Sequence, residues 1–293
     1  MLETDRIICP VCPHACNLRE GQLGVCRGRR AHNGQVVDEN YGRVTSLNLD
    51  PVEKKPLAFW HPGSWVLSVG SYGCNMRCPF CQNASISCAN SDEAHWNYVE
   101  PEALVRWAGK VRDVHDMRHA IGIAYTYNEP LIGWEFVRDV SVLAHEAGLY
   151  NVLVSNGMAN FEVIDELLPL IDAANIDLKG FSQSFYDLVG GDLSCVKRTI
   201  ELFAACPTAH LEVTTLVIPG LNDSPEEIDQ MAAWLASLDP EIPYHLTRFF
   251  PTHCMTDRPA TPLTTMQTLE KVAKRHLSRV VLGNVSYNSA RSM

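Results

Sequence analysis

Gly73-Cys74-Asn75-Met76-Arg77-Cys78-Pro79-Phe80-Cys81-Gln82-Asn83 is the stretch whose reading decides the fold. It follows directly on a short apolar run at 66–70, which reads as a strand buried on both faces. Three thiolates separated by three and then two residues can ligate three irons of a cubane cluster and leave the fourth iron without a protein ligand. A reactive centre needs such an open position, whereas a structural site is closed. The competing reading is a three-cysteine zinc site with a distant fourth ligand. The aromatic Phe80 between the last two cysteines, and the strand–loop–helix setting, weigh against it.

Outward from this loop, further short apolar runs lie at 122–126, 152–155, 174–178, 211–217 and 244–248, with a weaker one at 280–282. Helical patterns separate them at 101–114, 131–147, 160–168, 182–205 (broken), 224–238 and 264–277. The fifth has a clear start: Ser224 as N-cap, Pro225 at the first helical position and Glu227 completing a capping box. Repeated strand–helix alternation predicts a parallel α/β architecture. Six or seven such units fit a complete or partial (β/α) barrel or an open doubly wound sheet, and in both the chemistry gathers at the C-terminal ends of the strands.

A second cysteine group precedes the first strand. Cys9, Cys12, Cys16 and Cys26 are separated by two, three and nine residues. Four thiolates could close a tetrahedral zinc site or hold a second 4Fe–4S cluster, with His14 able to replace one sulfur. Gly21, Gly24, Gly28 and Gly34 break any helical pattern here. A closed site would therefore staple a segment too small to fold on its own core. The scattered Cys88, Cys195, Cys206 and Cys254 fit buried free thiols.

Composition narrows the setting. At 46% hydrophobic and 20% charged, the chain reads as an ordinary globular protein of one large domain with an appendage. Its net charge of −10 repels phosphate backbones and makes nucleic acid a poor default partner. No apolar run approaches the ~20 residues that span a bilayer. The polar, acid-bearing start does not resemble a signal peptide. A cytoplasmic location is expected, where thiols stay reduced and disulfides do not explain the cysteine groups.

The chain resembles the radical S-adenosylmethionine (SAM) superfamily, whose Cys-x3-Cys-x-aromatic-Cys motif is matched by Cys74, Cys78, Phe80 and Cys81. The resemblance implies a partial (β/α)6-type barrel over 63–293, preceded by a cysteine-rich module over 1–62. It implies a cluster whose open iron chelates SAM, and whose electron cleaves the sulfonium to a 5′-deoxyadenosyl radical that abstracts a substrate hydrogen. Further segments match in order, each at a strand end. Tyr127-Asn128-Glu129-Pro130 takes the place of a Gly-Gly-Glu-Pro segment that binds the methionyl ammonium, with both glycines replaced. Ser155-Asn156-Gly157 resembles a Thr-Asn-Gly segment near the ribose and carboxylate. Asp177-Leu178-Lys179 and His245-Leu246-Thr247-Arg248-Phe249-Phe250-Pro251 resemble segments of glycyl-radical activating enzymes. The stretch 216–223 takes the place of the one that packs against adenine.

On this resemblance the cofactor contacts are Tyr127, Asn128, Glu129, Ser155, Asn156, Asp177, Lys179, His245 and Arg248. Bland readings stand beside them. Glu129 could be a helix-start acid, Asp177 and Lys179 a structural ion pair, and His245 a satisfied core histidine.

Within the superfamily the likeness is to the AmmeMemoRadiSam subgroup, relatives of pyruvate formate-lyase activating enzymes. It rests on Cys12-Pro13-His14-Ala15-Cys16, Tyr41-Gly42-Arg43-Val44-Thr45-Ser46-Leu47, Asp50-Pro51-Val52-Glu53-Lys54-Lys55-Pro56-Leu57 and Gly283-Asn284-Val285. It implies an oxidoreductase fed by an electron donor such as flavodoxin or ferredoxin, with a protein substrate or Memo-like system partners. The alternatives are an activating enzyme that takes a glycine hydrogen from a protein, and a non-catalytic iron–sulfur or metal-binding scaffold.

Overall fold

The computed structural model describes residues 6–113 and 120–285. The cysteine-rich segment forms two small antiparallel hairpins. β1 (Arg6–Ile8) pairs with β2 (Asn17–Arg19), and β3 (Arg29–His32) with β4 (Gln35–Asp38). β5 (Arg43–Val44) pairs with β8 (Asn97–Tyr98) across the chain.

The main sheet has eight strands. They are β6 (Ser46–Pro51), β7 (Trp65–Gly70), β9 (Ala120–Tyr125), β10 (Tyr150–Ser155), β11 (Ala173–Asp177), β12 (His210–Val217), β13 (Tyr244–Arg248) and β14 (Val280–Gly283). The order runs β6-β7-β9-β10-β11-β12-β13-β14. Every neighbour pair is parallel except β6, which lies antiparallel to β7. The weak seventh run at 280–282 is thus a full member. The expected domain border near residue 62 falls between two paired strands of one sheet.

The sheet curls, because residues from the ends of seven of its strands line one cleft, yet no ladder joins β6 to β14. The inner strands from β7 to β12 bury both faces, as their Val, Ile, Leu and Ala content requires, whereas the edge strands β6 and β14 are only partly covered.

Helices follow the strands: α1 (Ala84–Ser87), α2 (Pro101–Asp113), α3 (Trp134–Glu146), α4 (Phe161–Leu167), α5 (Gln183–Val189), α6 (Leu193–Ala205), α7 (Pro225–Leu238) and α8 (Leu263–Ala273). The expected helix at 101–114 ends on a residue outside the described ones. The pattern at 182–205 is indeed two helices, because Gly190 sits at φ 68° and ends the first. α7 buries Ile228, Met231, Ala232 and Leu235, one stripe at helical spacing. Its N-cap forms, with the Glu227 amide donating to Ser224 Oγ at 3.1 Å. The reciprocal arm of the capping box goes elsewhere: Glu227 Oε1 accepts from the Phe181 amide at 2.7 Å.

The starting ends of the strands are closed by the segment after β6. Val52 and Leu57 are wholly buried there, and Trp60 nearly so. Glu212, near the start of β12, accepts from the amides of Ala58 at 3.0 Å and Phe59 at 2.8 Å. Asn175 of β11 donates to the Pro56 carbonyl at 2.9 Å. The Arg279 guanidinium lies 5.1 Å from the centre of the Phe59 ring. Chemistry is thereby confined to the opposite end, where the strands finish.

Candidate functional site

A cleft of about 370 Å³ opens at the finishing ends of the strands. Cys74, Cys78 and Cys81 line it, the only cysteines among the described residues that do so. They reach it because the chain leaves β7 through Gly73, whose φ of +85° a side chain would strain. A Cβ there would also lie 2.4 Å from the Cys26 carbonyl oxygen. Beyond it the Cys74 amide donates to that same carbonyl at 3.1 Å, and the Arg77 amide to Val189 O at 2.7 Å.

Two donors face Cys74 Sγ: the Met76 amide at 3.3 Å and Asn156 Nδ2 at 3.6 Å. Cys81 Sγ lies 3.2 Å from Ser87 Oγ. Burial pushes the Cys74 thiol well up and the Cys78 thiol to about 11, although Lys179 works against the latter. Ligation must therefore displace protons, as metal–thiolate sites do.

Among the described residues, no three His, Cys, Asp or Glu side chains are gathered closely enough to share one metal ion. A cubane asks for a wider frame, since each cysteine sits on a different iron. Three thiols on one cleft, with sulfur-directed donors and no fourth cysteine, fit a 4Fe–4S cluster with one iron open.

Glu129 is the acid of the cleft and is only 2% exposed. Its Oε1 accepts from Ser155 Oγ at 2.7 Å and the Leu131 amide at 2.9 Å, and its Oε2 from the Asn156 amide at 2.8 Å. Burial raises its pKa to about 7 even against these bonds. The bland helix-start reading is therefore half right. Glu129 caps the short 3-10 turn Pro130–Gly133, but it is also a buried carboxylate facing a cavity. Asn128 lines the cleft through a side chain spent on the main chain: Oδ1 accepts from the Ser71 amide, and Nδ2 donates to the carbonyls of Tyr72 and Gly73.

Tyr127 stands where the resembling segment has glycine, and it keeps a glycine-like backbone at φ 73°. Its hydroxyl donates to Asp50 Oδ2 at 2.6 Å, and Lys55 Nζ lies 4.7 Å from its ring centre. Asn156 binds the Asn75 side chain at 2.9 Å as well as Cys74.

Asp177 and Lys179 are paired at 2.7 Å and both line the cleft. Burial works against the Lys179 charge, but Asp177 and Cys78 hold its pKa above the ordinary value. Two expected contacts lie elsewhere. His245 is buried 2.5 Å from Glu212 Oε2, because a wholly buried carboxylate claims every donor in reach. Arg248 Nε donates to Thr261 O at 2.6 Å, and its guanidinium covers Phe250. Thr247, one residue earlier and of opposite strand parity, lines the cleft instead.

Lys54, Pro56, Thr214 and Asn284 also line the cleft and were not singled out from the sequence as contacts. Strand parity with Leu216 could have found Thr214. Nothing local marks Lys54.

The N-terminal cysteines lie directly behind the Cys74 loop. Cys9, Cys12 and Cys26 are buried and Cys16 partly so. Burial raises the Cys9 and Cys12 thiols, and takes Cys26 to about 12. No described helix is long and apolar enough to cross a membrane.

Comparison with known proteins agrees with this geometry. A family model described as the radical SAM superfamily matches residues 68–235. An uncharacterized protein of Methanocaldococcus jannaschii is 36% identical over 286 residues, covering 97% of this chain and 83% of that one. A second protein of that organism, provisionally named a glycyl-radical enzyme activating enzyme, is 24% identical over 228 residues, 73% of this chain and 87% of its own. Among solved structures, a radical SAM methyltransferase from Sphaerobacter thermophilus superposes with a TM-score of 0.55 at 15% identity, covering 76% of this chain and 67% of that one, a likeness of fold.

Proposed function

The chain belongs to the radical SAM superfamily, and on that premise we propose that Cys74, Cys78 and Cys81 ligate the family's 4Fe–4S cluster while the cleft seats SAM. The observation that carries this is the meeting of three thiols and one buried carboxylate on a single cavity. When bound, cluster and SAM supply a reductive cleavage to a 5′-deoxyadenosyl radical that takes a hydrogen atom from the substrate.

The chain's own residues bind and orient. Glu129 accepts from the methionyl ammonium, a cation that offsets its burial. Ser155 and the Asn156 amide hold that carboxylate in place. Asn156 and the Met76 amide donate to Cys74 Sγ, contacts that tune a cluster's potential. The Asp177–Lys179 pair presents a positive and a negative group to the remaining polar parts of SAM. The plug at the opposite end excludes water from below.

For the reaction, we propose radical chemistry on a small molecule in the manner of the AmmeMemoRadiSam subgroup, fed by a flavodoxin or ferredoxin. The provisional name of one relative favours a second reading, abstraction of a glycine hydrogen from a protein partner.

Anaerobically reconstituted protein, once reduced, should release 5′-deoxyadenosine from SAM, and Cys78→Ala should release none. Full cleavage by Cys78→Ala would sink the ligand assignment. An organic radical signal on an added glycyl-radical enzyme would select the second reading.

A further inference from the structure

The four N-terminal cysteines are drawn together by the backbone that carries them, with Cys9, Cys12 and Cys26 buried. The Cys9 amide donates to the Cys16 carbonyl at 2.9 Å, and the Ala15 amide to the Cys12 carbonyl at 3.0 Å. Each sulfur lies within electrostatic reach of another, linking Cys9 to Cys16, Cys12 to both, and Cys26 to Cys9 and Cys12.

The backbone bends to bring them together. Ala15 and Arg27, beside Cys16 and Cys26, take φ of 42° and 64°, a left-handed conformation that strains non-glycine residues. Gly24 stands bare between two sulfurs: a Cβ there would lie 3.6 Å from Cys16 Sγ and 3.7 Å from Cys26 Sγ. Arg29 is 3% exposed and near Cys9, and its Nε has no hydrogen-bond partner. Its Nη1 and Nη2 hold the Glu135 carboxylate at 2.5 and 2.7 Å.

Two covalently short routes lead from this group to the cysteine triad. The Cys26 carbonyl accepts from the Cys74 amide at 3.1 Å. His14, between Cys12 and Cys16, bonds the Asn75 carbonyl at 2.7 Å, and Asn156 bonds both the Asn75 side chain and Cys74 Sγ.

We propose that Cys9, Cys12, Cys16 and Cys26 hold a second iron–sulfur cluster, fully ligated by protein and set one backbone hydrogen bond behind the loop that carries the triad. Among the described residues no three of these sulfurs are gathered closely enough to share one ion, a spacing that suits a cubane, where each sulfur sits on its own iron, better than one zinc. With all four irons ligated, this centre has no position for SAM.

The test is iron, sulfide and zinc analysis of the full-length protein reconstituted anaerobically, with electron paramagnetic resonance of the reduced state. Two cubanes give ~8 irons per chain, and Cys16→Ser or Cys78→Ala should each leave ~4. The signal left in Cys78→Ala should not move when SAM is added. The signal left in Cys16→Ser should.

Wild type with ~4 irons that Cys78→Ala abolishes and Cys16→Ser leaves intact would overturn the proposal, with or without a zinc ion. The converse, ~4 irons lost only in Cys16→Ser, would sustain it and instead overturn the triad's assignment. Should Cys16→Ser fail to fold, the wild-type iron count and the Cys78→Ala signal still decide.

Discussion

Glu129 concentrates the chemistry of the cleft in one residue. A carboxylate with three donors and almost no exposure carries a charge that burial penalises despite those bonds and the nearby Lys179. Glu129→Gln keeps the shape and loses the charge. It should weaken SAM binding about tenfold or more, since a charge-assisted bond is worth ~1.5–3 kcal/mol. Equilibrium dialysis with intact iron content checks this, and unchanged affinity would return Glu129 to a helix cap alone.

The pKa near 7 adds a sign. Below it Glu129 is protonated and cannot receive an ammonium, so affinity should rise roughly tenfold from pH 6 to pH 8. In Glu129→Gln this part of the profile should be flat.

Tyr127 makes a different residue-scale point. Its left-handed backbone is held by the phenol bond to Asp50, whose carboxyl is kept well below the usual range despite partial burial by Tyr127, Lys55 and Lys54. Tyr127→Phe should lower unfolding free energy by ~1.5–3 kcal/mol in denaturant titration. In an Asp50→Asn background the loss should shrink. Equal losses in both would show that the two side chains act independently.

At the scale of elements, the segment after β6 and the strand β12 are joined by Glu212. Burial alone would raise this carboxyl, but bonds from His210, His245, Phe59 and Ala58 hold it at about 2. A depressed carboxyl stabilises the fold above its unfolded pKa, and that support fades as pH falls from about 4.5 toward 2. Glu212→Gln should cost about 3 kcal/mol at neutral pH, and its deficit should narrow on acidification. A deficit that holds constant down to pH 3 would place the support elsewhere.

Elements also show what a sequence reveals. Parallel strands announced themselves as short Val/Ile/Leu runs because both faces are buried, and the glycine pair at 190–191 marked the break in the fourth helical pattern. The edge strand Ser46–Pro51 was not legible. It alternates polar and apolar residues over six positions in a glycine-broken region, and its pairing with β7 is a tertiary fact. The cleft was legible wherever chemistry sits at a strand end, as with Cys74, Glu129 and Asp177. His245 and Arg248 were misplaced because motif likeness gives position along a strand, whereas parity and a buried acid decide where the side chain goes. Lys54 escaped because it reaches the cleft from a segment that no periodicity ties to it.

At the scale of the molecule, the plug joins residues far apart in the chain: Ala58 and Glu212 are 154 positions from each other. As the polypeptide leaves the ribosome, the cysteine hairpins and the first strand pairs can form from local chain, but the plug has no acceptor until β12 exists. Closing so long a loop is entropically slow, and contacts of this span form late. For that interval the amides of Ala58 and Phe59 lack their acceptor, although Leu57 and Trp60 can already pack against Val66, Ala124, Val152 and Ala173. The order of events is therefore written into the connectivity. The cysteine hairpins come together before the base of the barrel is complete, and one distant glutamate ties down the last of it.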